Sequence, residues 1–190
     1  MKKYLLYKIE RPITVIIRLT IYMTTYKIKI YDRECLKFEI VEAYSLQTIP
    51  TPKSLNPVKE KLCNEDIFQL VGDNVKLLHS SARCMCIIPG VLVLHNSKTY
   101  GKHAHKFLYK CIPDDRRLPV FLIPYKIKIA FSKNNINKYV VFKFKNWEGK
   151  HPIGVLVQTL GDVTHLDYFY EYQLYCKSLY ASIQNITKKT

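Results

Sequence analysis

Alternating apolar and polar residues predict β-strands along much of this chain. Residues 26–43 alternate over two short runs, and Asp32-Arg33-Glu34 between them has the composition of a turn. Successive side chains of a strand point to opposite faces, so a period of two indicates a half-buried strand. We therefore predict a β-hairpin in this segment.

Prolines interrupt the alternation after the hairpin. Pro50, Pro52 and Pro57 predict a loop. Asn56 is a suitable N-cap, because its side chain can accept a hydrogen bond from the first helical turn, and proline is favoured at the first helical position. We predict a short helix from Pro57 to about Val71.

Short β-patterned segments return from residue 74. Residues 74–95 predict two or three strands with a turn at Pro89-Gly90, and Lys98-Thr-Tyr-Gly101 predicts a second turn. Further strands are predicted at 106–111, 121–123, 125–131, 139–145 and 154–160.

The strand at 139–145 has the clearest alternation. One face carries Val140, Phe142 and Phe144, and the other carries Val141, Lys143 and Lys145. A half-buried strand with lysines on its open face is typical of a small barrel whose outer surface binds an anionic partner.

After Leu160-Gly161 the period changes from two to three or four residues. Thr164 and Asp167 have the spacing of a capping box, with Asp in place of Glu or Gln. Apolar residues then recur at helical spacing: Tyr168, Tyr172, Tyr175, Leu179 and Ile183. This predicts an amphipathic helix to about Gln184.

The net charge of +15 predicts a polyanionic partner. Residues 98–150 carry 13 basic and 3 acidic groups, whereas residues 151–190 carry 3 of each. An excess of Lys over Arg (24 against 6), with many Ile, Asn and Tyr, suggests an A/T-rich genome such as that of a large DNA virus. That bias explains Lys over Arg but not the scarcity of Asp and Glu in 98–150, so nucleic acid is favoured as the partner.

The N-terminal region favours neither a membrane anchor nor a secretory signal. Charged residues interrupt its apolar run before it reaches the roughly 18 residues that a membrane span needs. We expect an intracellular, cytoplasmic protein without membrane contact, in which all six cysteines are free thiols. Residues 1–25 are interpreted as an extension, with Met23 as an alternative start.

The stretch from Cys111 to Asp162 ends in Trp147, Pro152-Ile-Gly154 and Leu160-Gly161. It resembles the second cold-shock domain of the ribonuclease II / ribonuclease R (RNB) family of exoribonucleases, which includes the catalytic subunit of the eukaryotic exosome. The resemblance implies a segment that lies upstream of a catalytic domain and guides single-stranded RNA toward it.

The expected fold is mainly β, with one or two OB-like (cold-shock) barrels followed by a C-terminal amphipathic helix. We divide the chain into four regions: an extension at 1–25, a β-rich region at 26–110, an OB domain at 111–163 and a helix at 164–190. The second region could be a degenerate first cold-shock domain.

The family's catalytic domain holds Mg²⁺ with a cluster of aspartates, and the metal activates the attacking water. That cluster belongs to a block downstream of this chain's resemblance. We therefore expect no cofactor and no hydrolysis from this chain alone, and a separate catalytic ribonuclease domain as a possible partner. Asp114-Asp115, followed by Arg116-Arg117, predicts an ion-paired loop.

OB barrels bind single strands by following the backbone with Lys and Arg while aromatic rings stack on bases. The candidate RNA-binding residues are Arg116, Arg117, Lys126, Lys128, Lys143, Lys145, Trp147, Lys150 and His151. Two alternatives stay open: Trp147 packs the end of the barrel, and the lysines form a solvated surface. The alternative function is a non-enzymatic protein-interaction module that keeps the OB fold.

A zinc site is the competing chemistry. Cys84-Met-Cys86 and His103-Ala-His105 supply four ligands that could hold Zn²⁺. The spacing is not that of the usual zinc fingers, and both cysteines lie in an apolar segment predicted to be a buried strand. We therefore predict no bound metal.

Overall fold

The structure is a computed structural model that describes residues 24–52, 55–72, 74–95, 98–127 and 135–179. Within these ranges the first sheet has five antiparallel strands in the order β3-β2-β1-β4-β5. Its strands are β1 (Thr25–Ile30), β2 (Phe38–Glu42), β3 (Thr48–Ile49), β4 (Ile67–Val71) and β5 (Asn74–His79). One face of this sheet covers a core formed by Ile28, Ile30, Cys35, Ile40, Leu62 and Phe68.

The predicted hairpin of β1 and β2 is confirmed. Ile28 pairs with Ile40, and both side chains are buried. The Asp32 carboxylate accepts hydrogen bonds from the backbone N–H groups of Leu36 (2.9 Å) and Lys37 (2.6 Å). Such side-chain bonds to the backbone two to five residues ahead stabilise a turn.

The helix predicted from Pro57 to Val71 is wrong. Asn56 does cap a turn, since its Oδ1 accepts from the N–H groups of Val58 (3.0 Å) and Lys59 (3.1 Å). The turn stops at Lys61, whose φ of +56° lies outside the helical region. Ile67–Val71 then pairs with β1 as strand β4, which buries Phe68. Pairing with a distant strand outweighs the local capping signal.

The second sheet closes into a barrel. Its strands are β6 (Ile88–Leu92), β7 (Lys102–His103), β8 (Lys106–Pro113), β9 (Phe121–Tyr125), β10 (Lys138–Asn146) and β11 (Ile153–Asp162). They lie in the order β6-β10-β11-β9-β8-β7, and an additional pairing of β6 with β8 completes the closure. The closed ring thus contains the five strands β6, β10, β11, β9 and β8, with β7 attached to the side of β8, and it is the OB-class barrel that the sequence predicted.

The interior of the barrel holds the residues predicted to face inward on β10. Val140 and Phe142 are fully buried, and Phe144 packs against the same core. The rings of Phe142 and Phe121 have centroids 4.9 Å apart. Lys143 and Lys145 are exposed, so the predicted alternation of this strand is confirmed.

The structure has no turn at either of the two positions where the sequence predicted one, Pro89-Gly90 and 98–101. Pro89-Gly90 is inside strand β6, where a Cβ on Gly90 would come within 2.8 Å of the Ile112 carbonyl oxygen. Glycine therefore allows β6 and β8 to approach closely. The tight turn expected at 98–101 is formed instead by Ala104 and His105, with φ values of +47° and +61°, between β7 and β8.

The barrel also begins earlier than the predicted boundary at Cys111, because β6, β7 and the first half of β8 belong to it. Strand β9 ends at Tyr125, so the strand predicted at 125–131 is not continued through Lys126 and Ile127. The rest of that predicted strand lies outside the described residues, as does the predicted extension up to Met23.

Two helices complete the described fold: α1 (Ser81–Cys84) and α2 (Leu166–Cys176). Tyr172 and Tyr175 of α2 pack with Val141 and Leu160 on the outer side of β10 and β11. Neither described helix is long and apolar enough to cross a bilayer.

The C-terminal helix is confirmed, but its predicted ends are wrong. It follows His165, and no side-chain hydrogen bond caps it, so Thr164 and Asp167 do not form a capping box. It ends at Cys176 instead of near Gln184, and Ser178 just beyond has a φ of +59°. Leu179 is outside the helix, and Ile183 is outside the described residues.

The first sheet contacts the barrel through the β1–β2 turn. The Arg33 guanidinium donates to the backbone oxygens of Pro113 (2.7 Å) and Leu118 (3.2 Å). Val58 packs against the cores of both sheets, and Arg83 donates to the Lys61 carbonyl oxygen (3.0 Å).

Candidate nucleic-acid interface

A basic groove of about 410 Å³ lies on the barrel between the β7–β8 hairpin and strands β9, β10 and β11. It is lined by His103, Ala104, Lys106, Pro124, Tyr125, Lys126, Lys145, Val155 and Leu156. Three of these residues are lysines, one is histidine, and none is acidic. The groove therefore offers positive charge beside apolar surface, which suits a phosphate backbone that carries bases.

A contact between distant parts of the chain organises the groove. The Lys145 Nζ lies 2.7 Å from the His103 Nε2, which joins β10 to β7 across 42 residues. The ammonium can only donate, so the ring nitrogen is the acceptor in this arrangement. The bond holds the Lys145 charge at the side of the groove.

The β7–β8 hairpin extends the basic surface with aromatic rings. The Lys102 Nζ lies 4.9 Å from the ring centroid of Phe107, which is 45% exposed. Lys98 and Lys110 lie over the Tyr100 ring, with Nζ-to-centroid distances of 5.6 Å and 5.1 Å. These are cation–π contacts, and they place the two rings next to ammonium groups.

The groove occupies the part of the fold that commonly holds oligonucleotides. OB barrels bind them on their second and third strands and in the loops that join strands one to two and four to five. In this barrel those parts are β8, β9, residues 93–105 and residues 147–152. His103, Lys106 and Tyr125 come from these parts, so the groove coincides with this location.

Lys126 and Lys145, both predicted from the sequence, meet in the groove. Lys143 is exposed on β10, directly opposite Val155 in the strand register, and Val155 lines the groove. These three lysines therefore form or adjoin one surface. Lys128 lies outside the described residues.

Lys150 and His151 lie in the loop between β10 and β11, with Lys150 exposed and His151 half-buried. Partial burial lowers the pKa of His151, and the charges of Lys110 and Lys150 lower it further. His151 is therefore neutral at pH 7, and its contribution to binding an anion would be a hydrogen bond.

Arg116 and Arg117 lie away from the groove, in the loop after β8. Arg117 donates from Nε and Nη2 to the two carboxylate oxygens of Asp115, each at 2.9 Å. Partial burial opposes ionisation of Asp115, but the hydrogen bonds from Arg117 outweigh it and lower the pKa of the carboxyl. The predicted ion-paired loop is confirmed.

Trp147 is part of the barrel core and is 5% exposed. The sequence left open whether Trp147 stacks on RNA bases or packs the end of the barrel, and the structure shows that it packs in the barrel. The ring is not at the surface, so in this arrangement it is not a platform for stacking.

Several residues of the groove and of the adjoining β7–β8 hairpin were not among the predicted RNA-binding residues. They are His103 and Lys106, together with Tyr100, Phe107 and the lysines at 98, 102 and 110 on the hairpin. The spacing of Lys106 and Lys110 was an available signal, because residues an even number apart lie on one face of a strand, here β8.

The cysteines and histidines of the zinc hypothesis are arranged differently from the prediction. Cys84 ends helix α1 and Cys86 is exposed, so neither lies in a buried strand. Within the described ranges, no three His, Cys, Asp or Glu residues lie close enough to hold a metal ion. All six cysteines lie in those ranges, and none forms a disulfide.

The motif residues that carried the family resemblance have structural roles. A Cβ on Gly154 would lie 2.8 Å from the Phe142 ring, and one on Gly161 would lie 2.1 Å from the Tyr168 ring. Gly154 therefore leaves space for the Phe142 ring inside the barrel, and Gly161 leaves space for the Tyr168 ring of helix α2.

Comparisons with known proteins agree with this fold. The family model for the Dis3-like cold-shock domain 2 matches residues 108–170, about a third of the chain. A sequence search of curated proteins found no match. The structure of yeast Ssd1, a pseudonuclease, matches 88% of this chain with a TM-score of 0.51 and 15% identity.

At that identity the likeness to Ssd1 concerns the fold alone, and the match covers 26% of the Ssd1 chain. This chain therefore corresponds to about a quarter of that protein. The family match covers the barrel from β8 onward together with the start of α2. Residues 108–170 thus match the model of a Dis3-like cold-shock domain, and the barrel that they form with β6 and β7 has the OB fold.

Proposed function

We propose that this chain binds single-stranded RNA through the basic groove. The observation that supports this most is the lining of the groove: His103, Lys106, Lys126 and Lys145 converge, without an acidic residue, where OB barrels hold oligonucleotides. Ammonium groups in such a groove neutralise phosphates and release counterions, which supplies the affinity.

The surroundings of the groove favour a single strand over a duplex. Phe107 is partly exposed beside the groove, and Tyr125 lines it. A base must be unstacked from its neighbours before it can lie on such a ring, and each stacked base contributes about 1–3 kcal/mol. Single strands offer their bases in this way, whereas an RNA duplex does not.

Within the RNB family, this activity fits the N-terminal RNA-binding portion of a ribonuclease II-type 3′–5′ exoribonuclease. The chain would guide RNA toward a separate catalytic domain. The carboxylate of Asp115 is held by Arg117, which disfavours the Asp114-Asp115 pair as a metal site. The pseudonuclease Ssd1 is an example of a structural neighbour without nuclease function.

A second candidate is a protein-interaction module that keeps the OB fold. It is favoured by the outer face of α2, where Leu166, Phe169 and Tyr170 are exposed. A module of this kind would bind RNA weakly and without strong dependence on salt.

The two candidates are distinguished by titrating labelled single-stranded RNA of about 16 nucleotides, the upper site size of one OB fold. We expect affinity to fall steeply between about 50 and 200 mM salt. A duplex of the same length should bind more weakly. Absence of salt-dependent binding would exclude the proposed function and favour the interaction module.

A further inference from the structure

A second cleft lies on another part of the barrel and shares no residue with the basic groove. It has a volume of about 320 Å³ and lies between three segments. These are the connection from α1 to β6, the loop after β8, and the C-terminal end of α2. These three segments thus form a concave surface that is lined by apolar side chains and two aspartates.

The floor of the cleft consists of apolar side chains of the barrel core, and its rim carries a flexible side chain. Ile88 and Leu118 line it and are almost completely buried, so they belong to the barrel core. Met85 lies at the rim and is 42% exposed. Methionine is flexible and polarisable, which suits a surface that must fit another side chain.

The charge of the cleft is opposite to that of the groove. Asp114 and Asp115 line it, and Asp114 is exposed. The Tyr172 hydroxyl donates to the Asp114 Oδ1 (3.3 Å), which orients the carboxylate. Burial and, to a lesser extent, the charge of Asp114 raise the pKa of the nearby Cys176 thiol to about 11, so this thiol is neutral.

Among the residues that line the cleft there is no Lys or Arg, although Arg117 pairs with Asp115 and Lys177 lies between the lining residues Cys176 and Ser178. Residues 151–176, which include all of α2, contain neither Lys nor Arg, although the whole chain has 30. The exposed Asp114 carboxylate in this lining would repel a phosphate group. The complementary ligand is a cation that carries apolar surface.

We propose that this cleft docks a protein segment in which a Lys or Arg lies next to a large apolar side chain. The cation pairs with Asp114, and the apolar side chain enters between Met85, Ile88 and Leu118. A volume of 320 Å³ is at the lower end of the range of small-ligand pockets, about 300–1,000 Å³, so it suits one or two side chains.

The test is a selection of displayed random dodecapeptides on the immobilised full chain, in parallel with the Asp114→Arg variant. We expect the parent to enrich peptides that contain Lys or Arg within three positions of Leu, Ile, Met or Phe. The variant should not enrich them. Enrichment of peptides without a basic residue, or equal enrichment on both proteins, would overturn the proposal.

An enriched peptide is then synthesised and titrated against single variants. Asp114→Asn keeps an oxygen for the Tyr172 hydroxyl but removes the charge, and it should weaken peptide binding about tenfold. A variant with Lys126→Ala and Lys145→Ala in the groove should bind the peptide like the parent. Unchanged binding by Asp114→Asn would reject the cleft as the docking site.

Two controls separate this proposal from RNA binding and from misfolding. Single-stranded RNA at saturating concentration should not displace the peptide, because the groove and the cleft are distinct. Displacement would place the peptide in the groove. Thermal unfolding of Asp114→Asn should match the parent, so that a loss of peptide binding is assigned to the lost charge.

Discussion

At the scale of single residues, the placement of lysines decides what the surface can bind. The bond between Lys145 and His103 places one ammonium at the side of the groove, and Lys106 and Lys126 add two more. By contrast, Arg117 has its guanidinium bonded to Asp115 in another loop. Position, more than the count of basic residues, therefore determines the candidate interface.

Replacing Lys126 and Lys145 with Ala should weaken binding of single-stranded RNA. Each lost phosphate contact should flatten the plot of log affinity against log salt by about 0.7 units. The matched control is Lys37→Ala with Lys76→Ala, which removes the same charge from exposed lysines of the first-sheet region. Equal salt slopes for the two double variants would show that RNA binds elsewhere.

Phe142→Ala should destabilise the fold by about 3–5 kcal/mol, because the ring is fully buried and the cavity left behind cannot collapse completely. Urea unfolding followed by tryptophan fluorescence measures the change. Phe107→Ala is the comparison, since that ring is 45% exposed, and it should cost less than about 1 kcal/mol. Similar losses for both variants would contradict the assignment of Phe142 to the core.

At the scale of elements, close approaches fix how strands and helices meet. Gly90 lets β6 approach β8 and so permits closure of the barrel. Gly161 accommodates the Tyr168 ring at the start of α2. The buried Asp66 lies where the segment before β4 meets β1, with its carbonyl oxygen accepting from the Ile28 N–H (3.1 Å).

Gly161→Ala should destabilise the packing of α2 on the barrel. The new Cβ would lie 2.1–2.3 Å from three atoms of the Tyr168 ring, so the whole ring must move. Overpacking of this kind costs about 1–3 kcal/mol. Thermal unfolding, with limited proteolysis of the α2 region, measures the effect. Gly149→Ala is the control, because its Cβ would meet nothing within 4 Å.

Asp66→Asn should reduce the dependence of stability on pH. The Asp66 Oδ2 accepts from the Cys63 N–H (2.8 Å), and burial raises the pKa of the carboxyl above its ordinary value. Because the pKa of Asp66 is higher in the folded than in the unfolded state, the contribution of this carboxyl to the free energy of unfolding is present at low pH. It is lost as pH rises from about 4 through the folded pKa.

An Asn side chain can still accept the Cys63 hydrogen bond but cannot ionise. The unfolding free energy of Asp66→Asn relative to the parent should therefore increase between pH 4 and pH 7. Denaturant titrations at several pH values measure this difference. A constant difference would show that the carboxyl does not titrate with a raised pKa.

At the scale of the whole molecule, charge divides the described surface into two functional regions. The groove and the β7–β8 hairpin gather lysines, whereas the side that carries α2 has no Lys or Arg from 151 to 176. If both proposals hold, we expect a polyanion and a cationic protein segment to bind at the same time. The long-range field of the +15 chain favours association with the polyanion.

The whole chain should bind single-stranded RNA without shortening it when Mg²⁺ is added. The expectation follows from the basic groove and from the engagement of Asp115 by Arg117. Labelled RNA incubated with the protein and Mg²⁺ is resolved on a denaturing gel, with an active ribonuclease II-type enzyme as positive control. Progressive shortening by the pure chain would contradict this prediction.

Local sequence patterns determined the features that depend on near neighbours. The alternation in β10 revealed which side chains enter the core, and the turn residues after β1 revealed the hairpin. The excess of basic over acidic residues at 98–150 indicated the charge of the barrel. The glycines at 154 and 161 carried the family resemblance because their missing side chains are required by rings that pack against them.

Only the tertiary structure decided the features that depend on distant partners. Ile67–Val71 is a strand because β1 is available to pair with it, and Gly90 lies in a strand because β8 passes against it. His103 and Lys145 meet only after the barrel closes. Periodicity reports the environment along one segment, whereas strand partners and converging side chains are set by long-range packing, which no local pattern encodes.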